Sequence, residues 1–394
     1  MANDSYTEVM TQSWGSRIGD SIKGFFLGII LVPGAILLLS WNEGRSVKMT
    51  AALTEVASLV TSKSPDVVDP SFDHRLVHMS GLATTSETIA DPQFGVSAVA
   101  IGLKRKTQMY QWKQDVHGET QKNFGGSSTT KKTYTYSKMW SKSLIRSNEF
   151  KQPEGHENPS SMPFSSSDFY ATKVTLGAFE LPRDIVRSIG PYEKISADPN
   201  SLPAILKDQL KQFDGGYYIG ASPASAQIGD LEIDFQILKP TSISVIATQV
   251  GNTFEPYFSR NGNSIELVES KVTSPENMIE NARIHNEMLM WVLRVLGVVL
   301  TFFGFLALTG ILSIIADIVP ILGTIIGVGT TAVAFLMACA TSFITIGIAW
   351  IAYRPLLGIS LFASTAVLLF LIHRSNLQKK LSNSIQSPAT LQQK

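Results

Sequence analysis

The stretch GFFLGIILVPGAILLLSW, residues 24–41, decides the fold. Its 18 residues carry no charge, which is close to the minimum for a helix crossing the hydrocarbon of a bilayer. Pro33-Gly34 in its middle is tolerated in a membrane helix and predicts a kink. A polar leader with Arg17 and Lys23 precedes it. The segment that follows, Trp41-Asn42-Glu43-Gly44-Arg45, is bulky and charged and offers no small-residue cleavage site. The stretch therefore reads as a retained anchor and not as a signal peptide.

Three more apolar runs lie towards the other end of the chain, at 290–315, 321–353 and 355–373. The second of these is longer than one crossing needs, and its glycine-rich start, Gly323 to Gly329, reads as an interfacial or broken segment. The expectation is a membrane protein of α+β class: four transmembrane helices with a large β-rich soluble domain inserted between spans 1 and 2. Its parts are a cytoplasmic leader (1–23), span 1 (24–41), an extracytoplasmic domain (42–289), spans 2, 3 and 4 at 290–315, 321–353 and 355–373, and a disordered cytoplasmic tail (374–394).

Composition agrees with this partition. The 394 residues are 44% apolar and 16% charged, against about 25% charged in an average soluble domain. A net charge of +1 supplies no basic field for nucleic acid. The single cysteine, Cys339, lies in an apolar run and rules out an intrachain disulfide and a cysteine-based zinc site.

Aromatic residues orient the spans. With the N-terminus inside, Trp41, Trp291, Trp350 and Tyr353 all fall at the outer interface as membrane anchors, on the side of the domain. The inner ends carry Arg17, Lys23, Arg374, Lys379 and Lys380. Both termini are expected in the cytoplasm. Arg294, near the start of span 2, is expected to snorkel to the interface. Gly24 and Gly28 form a GxxxG, as do Gly323 and Gly327. Such spacing lets helix backbones approach, within the bundle or between protomers, so these four glycines are the candidates for helix packing and self-association. No spaced series of carboxylates or histidines marks an ion path, which argues against a pump.

In the domain, 46–60 has helical spacing, and from Arg75 the period changes to two. Leu231, Ile233, Phe235 and Ile237 alternate with Glu232, Asp234 and Gln236, the clearest half-buried strand in the chain. Tyr110 and Trp112 share one parity, and Tyr134, Tyr136 and Trp140 another. They flank a polar loop, Gly118–Lys131, so a long-looped hairpin with paired aromatics is expected. Short helices are expected at 181–189 and 201–213, and a longer one from Ser274-Pro275-Glu276 into span 2. One domain, or two lobes at about 75–180 and 215–272, both fit the pattern.

Candidate chemistry is sparse. His74 and His78 are four apart, but on a strand that separates them by about 13 Å, too far for a shared metal. Asp230, Glu232 and Asp234 form a carboxylate stripe that is also what a strand's polar face looks like. His156 sits beside Asn158-Pro159, a turn setting. No GxSxG, Walker or Rossmann motif is present. No catalytic residue, metal site or cofactor is assigned. The only Asn-x-Ser sequon, Asn3-Asp4-Ser5, lies in the leader, which favours a periplasmic over a lumenal setting for the domain.

Several segments in order match one family: Asn42-Glu43-Gly44-Arg45, Arg75-Leu76-Val77-His78, Asp91-Pro92 with Gly95-Val96, Met109-Tyr110-Gln111-Trp112, Gly155-His156 with Asn158-Pro159-Ser160, Gly229-Asp230-Leu231, and Tyr353-Arg354-Pro355-Leu356. In these the chain resembles the LUMA (transmembrane protein 43) family, and a bacterial relative is expected. The resemblance implies a membrane organiser that self-associates, with emerin and lamins as partners in an animal nuclear envelope, and no catalytic residues to carry over. The expected function is a multi-pass membrane scaffold that forms homo-oligomers in the lipid bilayer and presents its β-rich domain to other envelope proteins. The expected location is a bacterial inner membrane with a periplasmic domain, or otherwise the endoplasmic reticulum and inner nuclear membrane. The alternatives are an oligomeric pore or lipid-handling assembly, motivated by Gly323–Thr331, and a hydrolase built on His156 or the Asp230 stripe.

Overall fold

The structure is a computed structural model that describes residues 4–353. Its main elements are β1 (Ser5–Gln12), helix α1 (Trp14–Leu59), β2 (Leu76–Thr84), β3 (Gly102–Lys122), β4 (Ser128–Ser141), β5 (Leu231–Leu238), β6 (Thr241–Val250), α2 (Pro275–Ala316) and α3 (Pro320–Tyr353). Among the described residues three helices, Trp14–Leu59, Pro275–Ala316 and Gly323–Tyr353, are long and apolar enough to cross a membrane. The expected fourth span, 355–373, and the tail lie outside the described residues.

The chain divides into two compact units. One comprises Met1–Arg17, Thr50–His285 and Asp317–Pro320, and is rich in sheet. The other comprises Ile18–Met49, Asn286–Ala316 and Ile321–Lys394, and is helical in the residues described.

The sheet-rich unit is built on two strands. In β5 the alternation of the sequence becomes an alternation of burial: Leu231, Ile233 and Phe235 are closed from solvent, while Glu232, Asp234 and Gln236 are half exposed. Burying such a side chain stabilises the fold by about 1.5–3 kcal/mol each. β5 pairs with β3 from Leu231↔Met109 to Leu238↔Gly102 in an eight-stranded sheet. β6 pairs with β2 from Thr241↔Ala83 to Thr248↔Leu76 in a seven-stranded one. Each pairing joins an early segment of the chain to a late one. One core, including Val77, Leu103, Phe179, Phe235 and Val245, draws on both. The alternative of two lobes is therefore not what forms.

The expected loop Gly118–Lys131 is mostly strand. β3 and β4 pair without interruption from Met109↔Ser141 to Lys122↔Ser128, and only Asn123–Ser127 turns the chain. Threonines hold the outer ladder, with Thr120 and Thr130 hydroxyls 2.9 Å apart. The expected aromatic pairing is present: the Tyr110 and Trp140 rings lie 5.2 Å apart. At the tip Gly125 and Gly126 have φ +83° and +82°, and a Cβ on Gly126 would come within 2.3 Å of the Trp14 ring.

The leader is not a segment apart from the domain. Ser5–Gln12 is the third strand of this ribbon, paired antiparallel to β4 from Ser5↔Thr135 to Gln12↔Ser128. The expected boundary after span 1 also moves, because α1 runs on from the apolar stretch to Leu59 and absorbs the helix expected at 46–60. The two short helices are shorter than expected, Arg183–Ser188 and Ala204–Lys207, and residues 211–213 are strand.

Candidate functional site

In the helical unit one carboxylate organises three helices. Glu43 lies on α1 just past the apolar stretch, Arg294 is on α2, and Trp350 is near the end of α3. Arg294 Nε donates to Glu43 Oε1 at 2.6 Å and Nη2 to Oε2 at 2.8 Å, a bidentate pair. The Trp350 indole N–H donates to the same Oε2 at 2.9 Å. The side chains of Glu43 and Arg294 are 1% and 10% exposed. The guanidinium also lies 4.7 Å from the Trp291 ring centre, close enough for a cation–π attraction.

Arg294 was expected to snorkel. It is buried instead, because a carboxylate and two indole rings meet its charge where it stands. Trp350 likewise does more than anchor at an interface, since its N–H completes the shell of Glu43. Neighbouring polar groups extend the site. Asn42 donates to the Met290 carbonyl at 2.9 Å, Arg45 to Asn286 Oδ1 at 2.9 Å, and Asn286 to the Ser46 carbonyl at 3.1 Å. With both carboxylate oxygens engaged, the cluster is built to hold α1, α2 and α3 in one register. Trp41 and Trp291 are 58% and 60% exposed and Tyr353 is 40% exposed.

The four candidate glycines separate. A Cβ on Gly28 would come within 2.7 Å of the Gly304 carbonyl and 2.8 Å of the Leu308 side chain, so α1 and α2 touch through it. Gly24 faces open space within the described residues. A Cβ on Gly327 would come within 2.9 Å of Ser313 Oγ, and the Gly323 carbonyl accepts from Ser313 Oγ at 3.0 Å. Residues 323–331 are continuous helix, not a broken segment. Glycine is tolerated in membrane helices and lets such neighbours approach. The sequence reading missed Gly44, whose Cβ would meet the Tyr353 ring at 2.7 Å, and Gly297, against Leu39 at 2.4 Å.

The sheet-rich unit holds buried carboxylates of its own, Asp91 on Arg105 and Asp317 in the link. Asp317, in the link between α2 and α3, is ion-paired with Arg17 at the start of α1 and with Lys122 at the end of β3, the latter at 2.7 Å. Arg17 also donates to the Gly126 carbonyl, and the Gly125 N–H donates to the Ile318 carbonyl at 3.0 Å. The hairpin tip is thereby tied both to the head of α1 and to the link.

The residues nominated for chemistry are spread out and engaged. His74 has φ +58° and an exposed ring. His78 is buried in β2, its Nε2 2.9 Å from the Thr273 carbonyl and its Nδ1 3.0 Å from the Ser62 hydroxyl. Asp230 accepts from the Tyr218 hydroxyl at 2.6 Å and the Gln227 N–H at 2.7 Å. Burial and that carboxylate push the Tyr218 phenol far up. Asp234 pairs with Lys194, whose amine is held above its ordinary value by hydrogen bonds to Asp214 and Asp234. His156 stacks on Tyr136 at 3.8 Å and meets the edge of Trp112 at 4.8 Å. Among the described residues no group of three or more His, Cys, Asp or Glu side chains is placed to hold a metal.

Comparison with known proteins gives a consistent result. A family model described as "Transmembrane protein 43" matches residues 109–355, well over half of the chain. The chain is 29% identical over 377 residues to "Transmembrane protein 43" of Homo sapiens, covering 92% of each. It is 29% identical over 388 residues to the protein of the same name from Pongo abelii, covering 95% of this chain and 93% of that one. To the "Transmembrane protein 43 homolog" of Drosophila melanogaster it is 28% identical over 353 residues, covering 86% and 91%. No solved structure matches.

Proposed function

The chain belongs to the transmembrane protein 43 family, and on that premise we propose that it is a multi-pass membrane scaffold that associates with itself and presents its sheet-rich unit to other membrane proteins of the envelope. The observation that carries this reading is an open sheet edge. Among the described residues no strand pairs with the outer side of β1, and beyond Trp112, whose N–H and carbonyl are both taken by the Asn158 side chain, none but β4 pairs with β3. Exposed edges of this kind bind partners by strand addition, with main-chain hydrogen bonds giving affinity. The Glu43–Arg294–Trp350 cluster suits the same role, since it fixes the helices that hold the unit at the membrane.

We place the main body of the sheet-rich unit on the extracytoplasmic face, periplasmic or lumenal. No catalysis is assigned. The pore reading rested on a broken segment at Gly323–Thr331, which is helical. The hydrolase reading rested on His156 and Asp230, which are engaged in ring stacking and in hydrogen bonds that close the fold. The test is the mass of the protein extracted in lipid nanodiscs or mild detergent. A multimer is expected, and a monomer at all concentrations would overturn the reading.

A further inference from the structure

His78 stands at the meeting of three strands in the sheet-rich unit. It lies on β2, opposite Ile246 of β6 on one side and opposite Ser62 of the short parallel strand Thr61–Lys63 on the other. The histidine is buried, while Ser62 is exposed. Both ring nitrogens are engaged, and their partners decide where the proton sits. Nε2 is 2.9 Å from the Thr273 carbonyl, and a carbonyl oxygen only accepts. A second neighbour of Nε2 is the Ser80 hydroxyl at 3.2 Å, but its proton goes elsewhere. Ser244 Oγ donates to the Lys271 carbonyl at 3.0 Å and accepts the Thr273 N–H at 2.8 Å, so the 2.7 Å bond between the two serines is donated by Ser80. Nε2 therefore carries the hydrogen, and Nδ1 keeps a lone pair. That lone pair accepts from Ser62 Oγ at 3.0 Å.

A serine hydroxyl bonded to a neutral imidazole, whose far N–H is fixed by an acceptor, has the parts of an activated nucleophile. Here a backbone carbonyl fills the orienting place. Burial keeps the ring neutral and so ready to take a proton, while Glu276, the charged group acting on it, favours the imidazolium that results. We propose that Ser62 is a nucleophile for acyl transfer from carboxylic esters, with His78 as its general base. As the bond from Ser62 Oγ to the carbonyl carbon forms, the hydroxyl proton passes to His78 Nδ1. The ester's carbon–oxygen bond then breaks, and His78 gives that proton to the departing alkoxide, leaving an alcohol and acyl-Ser62. Water completes the cycle. Its oxygen bonds to the acyl carbon, its proton passes to Nδ1, and Ser62 Oγ leaves and takes that proton back, freeing the acid. An ester suits a hydroxyl exposed at the surface, since an alkoxide departs more readily than an amide nitrogen. The inference is independent of the scaffold reading, which uses neither residue.

The test uses the full chain in nanodiscs and an alkyl fluorophosphonate, whose fluoride leaves as Ser62 Oγ bonds to phosphorus and the proton goes to His78. Adducts are located by peptide mass. The expected result is an adduct on Ser62 and not on Thr61 or Ser64, the exposed hydroxyls on either side. Ser62→Ala should abolish it, and His78→Gln should slow it by about 100-fold or more. In the unaltered protein the rate should rise with pH as His78 loses its proton, and level off above the ordinary histidine value near 6.5. That profile decides the matter even where the His78 variant fails to fold. With p-nitrophenyl butyrate, release of nitrophenolate is expected and should be lost in Ser62→Ala. No adduct on Ser62 overturns the proposal. An adduct without Ser62-dependent release of nitrophenolate overturns the ester as substrate. A rate that climbs about tenfold per pH unit without levelling off overturns His78 as the base, since hydroxide then takes the proton.

Discussion

Glu43 and Asp317 are both buried carboxylates, and they are held in different ways. Glu43, in the helical unit, faces one guanidinium in a bidentate pair with an indole N–H added, so charge is matched one to one. Asp317, in the sheet-rich unit, is shared between Arg17 and Lys122, and the Lys122 side chain is 31% exposed. In the first arrangement both charges are buried, with the Glu43 and Arg294 side chains 1% and 10% exposed. The second keeps one cation at the surface, where solvent can take over. Buried ions of this kind reveal themselves when one partner is removed, because the other is left without compensation.

The largest effect is therefore expected for Glu43→Ala, which leaves the Arg294 guanidinium buried and unpaired. A loss of roughly 3–5 kcal/mol is expected in unfolding measured in nanodiscs or detergent. Asp317→Ala should cost less, about 1–3 kcal/mol, since Lys122 can rehydrate and the buried Arg17 keeps its hydrogen bond to the Gly126 carbonyl, and should speed proteolysis at Asn123–Ser127. If Asp317→Ala proves the more damaging of the two, the contrast between them fails.

The next effect sharpens the helical side of the comparison. Gly28→Ala drives a methyl into the Gly304 carbonyl and is expected to destabilise by about 1–3 kcal/mol. Gly24→Ala, in open space, should be neutral or gain up to about 1 kcal/mol from helix propensity. Equal effects at the two positions would mean that Gly28 is not a contact.

The smallest effect concerns the sheet side. Burial holds the His78 imidazole below its ordinary value near 6.5, against the opposing pull of the Thr273 carbonyl and Glu276. A histidine whose folded value is depressed binds its proton more readily when unfolded, so stability rises with pH. The contribution is complete above the ordinary value and is lost as pH falls through it towards the folded value. Chemical denaturation between pH 7.5 and 5.5 should show this slope, and His78→Gln should flatten it.

The parts legible in the sequence were those with short-range pattern. The apolar runs marked three helices, and the alternation of Leu231 to Ile237 marked β5, because in both cases burial repeats at the element's own period. β1 was not legible. Ser5–Gln12 is a largely polar run whose strand partner, among the described residues, lies more than a hundred residues away, and its alternation has no buried side to show. The site was half legible. Asn42-Glu43-Gly44-Arg45 stood out among the segments carrying the family resemblance, and Arg294 stood out as a charge in a span. Nothing in either segment announces that the two meet, since they are 251 residues apart. A charge with no local outlet, set against a carboxylate beside another span, was the one signal that could have joined them. The loop expected at Gly118–Lys131 misled for the opposite reason, as its glycines and polar residues hide a threonine-rich ladder completed by a third strand.

The central claim is that Glu43 and Arg294 act as one unit that fixes the membrane helices. A double-mutant cycle with Glu43→Gln, Arg294→Met and the pair, read by unfolding in nanodiscs, tests it directly. A coupling of roughly 2–3 kcal/mol is expected, with the double variant more stable than either single one. Single effects that add to within about 0.5 kcal/mol would contradict the claim.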